Sequence, residues 1–206
     1  MWRALVLILF LGLAACTKPA PATFRNTDIT GAEFGRSLAG LKDHHGKPGT
    51  LADYQGKAVL VFFGYTSCPD VCPTTLARLA EVMKALGGDA DRVQVLLVTV
   101  DPERDTPEKL GAYVTAFSPV FLGMSGDLPA TEAVAKEFKV FFARSKAGAV
   151  ASREHHHEHA ADSYSIDHST GIYVFDPAGK VRLYVKDDAP VDTITSDLRL
   201  LLAAKY

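Results

Sequence analysis

The stretch Ala58-Val59-Leu60-Val61-Phe62-Phe63-Gly64-Tyr65-Thr66-Ser67-Cys68-Pro69-Asp70-Val71-Cys72-Pro73 decides the fold. Its first six residues are β-rich and apolar at every position, as in a central strand covered by helices on both faces. Pro73 sits where a first helical turn tolerates it. Leu76, Leu79, Ala80, Met83 and Leu86 then recur at helical spacing until Gly87-Gly88 ends the pattern. Two cysteines therefore lie at the junction of a buried strand and a helix N-terminus. There the unpaired backbone N–H groups and the helix dipole favour the thiolate, the form that acts as ligand or nucleophile, so both thiols can be reactive at neutral pH.

Downstream, a second buried strand from Val93 to Val100 ends at Asp101. Thr106 reads as an N-cap and Pro107 as the first residue of a helix running to about Phe117. A short strand at Val120 to Leu122 and a helix from about Pro129 to Phe138 follow, and this alternation favours an α/β sheet with parallel pairing. Val140 to Arg144 and Tyr164 to His168 are candidate strands of an inserted hairpin. Ile172 to Phe175 and Val181 to Val185, joined by Asp176-Pro177-Ala178-Gly179-Lys180, form a terminal hairpin before a last helix from Val191 to about Ala203. Upstream, the turn formers between Lys42 and Gly49 divide two weak strands of a leading hairpin; His44 and His45 lie in that turn and have no expected chemistry.

The 206 residues suit one domain with appendages. A net charge of -2 offers no basic field, so nucleic acid is not an expected partner. Arg3, the apolar run from Ala4 to Leu13 and the small residues Ala14 and Ala15 have the layout of a secretory signal, too short to span a bilayer comfortably. Leu13-Ala14-Ala15-Cys16 resembles a bacterial lipobox, with Cys16 as the lipid-bearing residue. The expected organisation is a signal peptide over 1–15, a Pro- and Ala-rich membrane tether over 16–27 and a folded domain over 28–206. That places the domain outside the cytoplasm on a lipid anchor, with inner and outer membrane both open.

Cys68 and Cys72 then form a closed set. A purely structural disulfide between them would close a five-residue loop and constrain little of the unfolded chain. A thioredoxin active site uses two intervening residues, whereas three stand here, which places the sulfurs on one side of a helical turn and lets them chelate one ion. Two soft sulfurs suit Cu(I), and an added imidazole would give a three-coordinate set that also holds Cu(II). A structural zinc site would normally require a fourth protein ligand.

Three ordered blocks carry a family resemblance: Phe63 to Pro73, then Val100-Asp101-Pro102-Glu103-Arg104-Asp105-Thr106-Pro107, then Asp167-His168-Ser169 before a strand. On these the chain resembles the Sco/SenC family of copper proteins involved in cytochrome c oxidase assembly, from about Gly46 to the final helix. The resemblance implies an α/β, thioredoxin-like fold and copper, as Cu(I) or Cu(II), held by Cys68, Cys72 and His168. Asp101 ends a strand on the same sheet edge as the cysteines, where it either tunes the metal from behind its ligands or caps the following turn. Asp70, between the thiols, reads as a solvated or helix-start carboxylate.

Two functions follow from the resemblance. One is a metallochaperone that passes copper to the dinuclear copper centre of cytochrome c oxidase subunit II. The other is a thiol-disulfide reductase that keeps the cysteines of that centre reduced, with Cys68 or Cys72 as attacking thiolate and no need of a histidine. A periplasmic copper donor or a thioredoxin-like reductant would be a further partner. The tract Arg153-Glu154-His155-His156-His157-Glu158-His159 has no counterpart in the family pattern. His155, His156, His157 and His159 read either as an accessory metal-capture site or as a polar hairpin tip.

Overall fold

The structure is a computed structural model that describes residues 23–146 and 164–204. The expected signal peptide, Cys16, most of the tether and the histidine tract lie outside the described residues. In chain order the elements are β1 (Thr27–Asp28), β2 (Lys42–Asp43), β3 (Ala58–Gly64), α1 (Val71–Leu86), β4 (Val93–Thr99), α2 (Pro107–Thr115) and β5 (Leu122–Ser125). They continue with α3 (Leu128–Glu137), β6 (Phe142–Lys146), β7 (Tyr164–His168), β8 (Ile172–Phe175), β9 (Val181–Val185) and α4 (Val191–Ala203).

Seven strands form one sheet in the order β1-β9-β8-β3-β4-β5-β2. β3, β4 and β5 run parallel, joined through α1 and α2, and β8 lies antiparallel to β3 on the other side. Every residue of β3 and β4 is buried, which is why β3 reads as an apolar run and β4 as a largely apolar one, broken only by Gln94 and Thr99. Phe62, Phe63, Leu96 and Leu97 are among the largest fully buried side chains, each contributing about 1.5–3 kcal/mol on burial. α1 packs on α4 and α2 on β5. This is the α/β, thioredoxin-like arrangement expected from the sequence, and it brings the ends of β3 and β4 to one sheet edge. No helix among the described residues is long and apolar enough to cross a membrane.

Local departures have physical causes. Gly87 ends α1 at φ 59, the left-handed conformation that glycine adopts without a Cβ clash. The leading hairpin is reduced to β2 and a single antiparallel bridge from Lys42 to Pro48, since Pro48 has no N–H to extend a ladder and β2 pairs with β5 instead. β5 starts at Leu122 rather than Val120, because the Val120 carbonyl accepts from the Gln94 side chain and Phe121 N–H closes a turn onto Ser118. At the N-terminal end, Arg25 and Asn26 are already fastened to the body. Their amides and the Asn26 side chain donate to the buried carboxylate of Asp197 on α4.

The inserted hairpin forms as a separate two-stranded sheet, β6 antiparallel to β7, with Phe142 opposite His168. Neither strand joins the central sheet. His168, the last residue of β7, is thereby delivered to the sheet edge from outside the main ladder.

Candidate metal centre

β3 ends at Gly64, and the glycine is required there. A Cβ at this position would lie 2.7 Å from the Cys72 Sγ, 3.1 Å from the Phe62 ring and 3.2 Å from Leu97. The chain then turns, with Cys68 N–H donating to the Tyr65 carbonyl, and α1 begins at Val71 behind Asp70 as N-cap. Asp70 is exposed and makes no side-chain cap bond, consistent with a solvated carboxylate.

The helix boundary corrects one expectation. Cys72 lies in the first turn of α1 but Cys68 lies before it, so the loop at 65–70, and not a shared helical face, brings the sulfurs together. The helix N-terminus that can make both thiols reactive at neutral pH is opposed at Cys72. It is fully buried, and burial pushes its thiol well above the usual range against the opposing pull of the Tyr65 amide. Desolvation of the thiolate outweighs the helix N-terminus here. Cys68 is half-buried at the rim and is the accessible sulfur of the pair.

His168 reaches the same point. Its Nε2 is 3.6 Å from the Cys72 Sγ, and its ring meets Tyr65 and Phe62 edge-on at centroid distances of 5.8 and 6.4 Å. Nδ1 lies 2.9 Å from the Ser169 carbonyl, which can only accept; Nδ1 therefore carries the proton and Nε2 turns its lone pair toward the thiols. Burial lowers the His168 pKa, so the imidazole is neutral at neutral pH, the form that binds metals.

The two sulfurs and the imidazole nitrogen all lie within 4.8 Å of one another. Two donors each about 2.3 Å from a shared ion lie at most about 4.6 Å apart, so only a small contraction would place all three on one metal. Two thiols and one neutral imidazole form a soft, three-membered set that suits copper, and no fourth His, Cys, Asp or Glu joins it among the described residues.

Asp101 does not face these donors directly. Its buried carboxylate accepts from the Tyr164 hydroxyl at 2.6 Å and from Arg104 Nε, while its backbone carbonyl accepts from Arg104 and Asp105 N–H. It thus ties the turn after β4 to β7. His44 is held in place structurally: its Nδ1 accepts from Gly123 N–H and its ring packs on Gly111.

Two residues escaped sequence reasoning. Asp105 is buried and accepts from Thr66 N–H, the Thr66 hydroxyl and the Thr99 hydroxyl, fixing the loop that carries Cys68; its place in the Val100–Pro107 block gave no hint of that partner. The Tyr113 hydroxyl is buried without a hydrogen-bond partner among the described residues, and its phenol is pushed up first by burial and then by Cys72 and Cys68. Its helical position was the only sequence signal.

The family model described as SCO1/SenC matches residues 9–203. The chain is 33% identical to a protein of Bos taurus called SCO2 homolog, mitochondrial, over 87% of its own length and 64% of that protein's. Among solved structures it is similar to Bradyrhizobium japonicum ScoI with copper bound, at 35% identity and TM-score 0.65, covering 78% of this chain and 95% of that one. It is also similar to apo Sco1 from Thermus thermophilus, at 34% identity and TM-score 0.70, covering 88% and 99%.

Proposed function

The chain belongs to the SCO1/SenC family, and on that footing we propose that it binds copper through Cys68, Cys72 and His168 and delivers it to the dinuclear copper centre of cytochrome c oxidase subunit II. The observation that carries this reading is the near-closed triangle of two sulfurs and one lone-pair-bearing nitrogen, with one sulfur buried and one at the rim. The buried Cys72 and the partly buried His168 retain the ion, while Cys68 at the rim leaves an edge by which a partner's thiolate can enter before the donor's ligands leave. Copper is cargo in this scheme, and no turnover is required. The layout of residues 3–16 supports a lipid anchor at Cys16 and work outside the cytoplasm.

The reductase reading draws on the same asymmetry, with Cys68 as the accessible attacking sulfur and Cys72 as its resolving partner. Burial of Cys72 argues against the reverse assignment. The two readings separate in one assay. The copper-loaded protein is mixed with the metal-free, reduced copper domain of subunit II, and the visible absorption of the dinuclear centre is followed. Delivery predicts growth of that spectrum from the wild type and little from His168→Ala. If the metal-free dithiol of His168→Ala were as effective as wild type in restoring an oxidised domain, and loaded wild type transferred no copper, the reductase reading would replace delivery.

A further inference from the structure

β7 is held to the body at alternate residues. Strand geometry turns Tyr164, Ile166 and His168 to one face. The first two make ties and the third is the proposed ligand. Ile166 N–H donates to the Tyr65 hydroxyl at 3.2 Å. Tyr164 closes a triangle: its hydroxyl donates to Asp101, its carbonyl accepts from Arg104 Nη1 at 2.9 Å, and Arg104 Nε donates to the same Asp101 carboxylate. The Arg104 guanidinium also lies 3.6 Å from the Tyr164 ring centroid and 5.8 Å from that of Tyr65. The Asp101 side chain is fully buried, the Arg104 side chain is 24% exposed, and its buried Nη2 has no hydrogen-bond partner among the described residues, so the cation leans on the Tyr164 ring. Because the β6–β7 sheet shares no ladder with the central sheet, these contacts have to supply much of the register that strand pairing gives elsewhere.

We propose that Asp101, Arg104 and Tyr164 act as positioning residues for His168, holding the inserted hairpin so that the imidazole completes the site and Cu(II) is retained as well as Cu(I). The metal half of this inference rests on the copper reading above; the strand-holding half does not. With the clamp loosened, His168 withdraws with β7 while the two cysteines, carried by the loop at 65–70 and α1, stay in place. Two thiolates alone keep a soft ion, whereas Cu(II) depends on the imidazole. The exposed Arg144–Glu103 pair joins the hairpin to the turn after β4, and the Arg144 guanidinium lies 4.7 Å from the Tyr164 ring centroid, so it adds to the clamp; the exposed Arg36–Glu33 pair, formed within one loop, serves as the control.

The test compares Tyr164→Phe, which keeps the ring under Arg104 and removes only the hydroxyl, with Arg104→Lys and with the control Arg36→Ala. In the metal-free protein, amide exchange at Ile166 is expected to quicken about tenfold in the first two variants, with exchange at Leu97 in the central sheet unchanged. With copper, their Cu(II) affinity is expected to fall about tenfold or more, with loss of the imidazole nitrogen splitting in the electron paramagnetic resonance spectrum. Their Cu(I) affinity is expected to stay within about threefold, and Arg36→Ala to match wild type. Unchanged Ile166 exchange in both clamp variants overturns the proposal, and so does faster exchange with an unaltered Cu(II) spectrum. A wild type that binds no copper through its cysteines would instead refute the copper reading, and the exchange measurement would still decide whether the clamp holds the strand.

Discussion

His168 Nε2 stands 3.6 Å from Cys72 Sγ, joining residues 96 positions apart. One atom belongs to the first turn of a helix after a buried strand and the other to the end of a hairpin outside the central sheet. The soft metal set therefore exists only when the hairpin is docked. The chemistry of the site is bound to the geometry of β7.

Copper uptake should release protons. Burial holds the Cys72 thiol protonated through neutral pH, so an incoming ion must displace that proton. Affinity should rise by about tenfold per pH unit for each proton released, and anaerobic competition titrations between pH 6 and 8 should give a slope of at least one. A pH-independent affinity would remove Cys72 from the ligand set.

The metal-free fold should lose a His168 contribution in mild acid. Its folded pKa lies below the ordinary 6.5, so the unfolded chain takes up the proton more readily. That contribution is fully present above 6.5 and is lost as pH falls from there through the folded value. In denaturant midpoints measured from pH 7.5 to 5, wild type should lose more stability than His168→Gln. Parallel curves would show that the ring is not buried as described.

Gly64→Ala should damage site and fold together. The added methyl would meet Cys72 Sγ at 2.7 Å, with the Phe62 and Leu97 side chains too close on its other sides to yield freely. We expect a loss of about 1–3 kcal/mol in urea unfolding and a copper affinity reduced by about tenfold or more as the sulfur is displaced. A variant with wild-type stability and copper binding would mean that the β3 end is looser than its packing indicates.

Asp105→Ala should cost more stability than its distance from the metal set suggests. It strands the hydroxyls of Thr66 and Thr99 and the Thr66 amide without their buried acceptor, a loss of about 3 kcal/mol. Asp105→Asn keeps one carbonyl acceptor and should fall between the two. Thermal unfolding of the three proteins checks the order.

Much of this architecture was legible because its elements obey one period at a time. β3 and β4 are apolar at nearly every position since they are covered on both faces, and α1 is marked by Pro73 in its first turn and Gly87 at its end. Cys68 and Cys72 were visible as a pair by chemistry alone. His168 was visible only by family resemblance, because nothing local in Asp167-His168-Ser169 announces a partner 96 positions earlier. The raised Cys72 pKa was hidden for a related reason: the helix N-terminus is a local signal, whereas the desolvation that overrides it comes from the whole packed core around the sulfur. The Asp101 and Asp105 contacts reach Tyr164 and Thr66 across turns whose partners only the fold selects.

The most direct measurement is an anaerobic copper titration of the purified protein beside Cys68→Ser, Cys72→Ser and His168→Ala. One equivalent of copper per chain is the predicted result, abolished by either serine variant and weakened most for Cu(II) in the histidine variant. Copper bound equally well by all four proteins would contradict the account, because the ion would then sit somewhere other than between Cys68, Cys72 and His168.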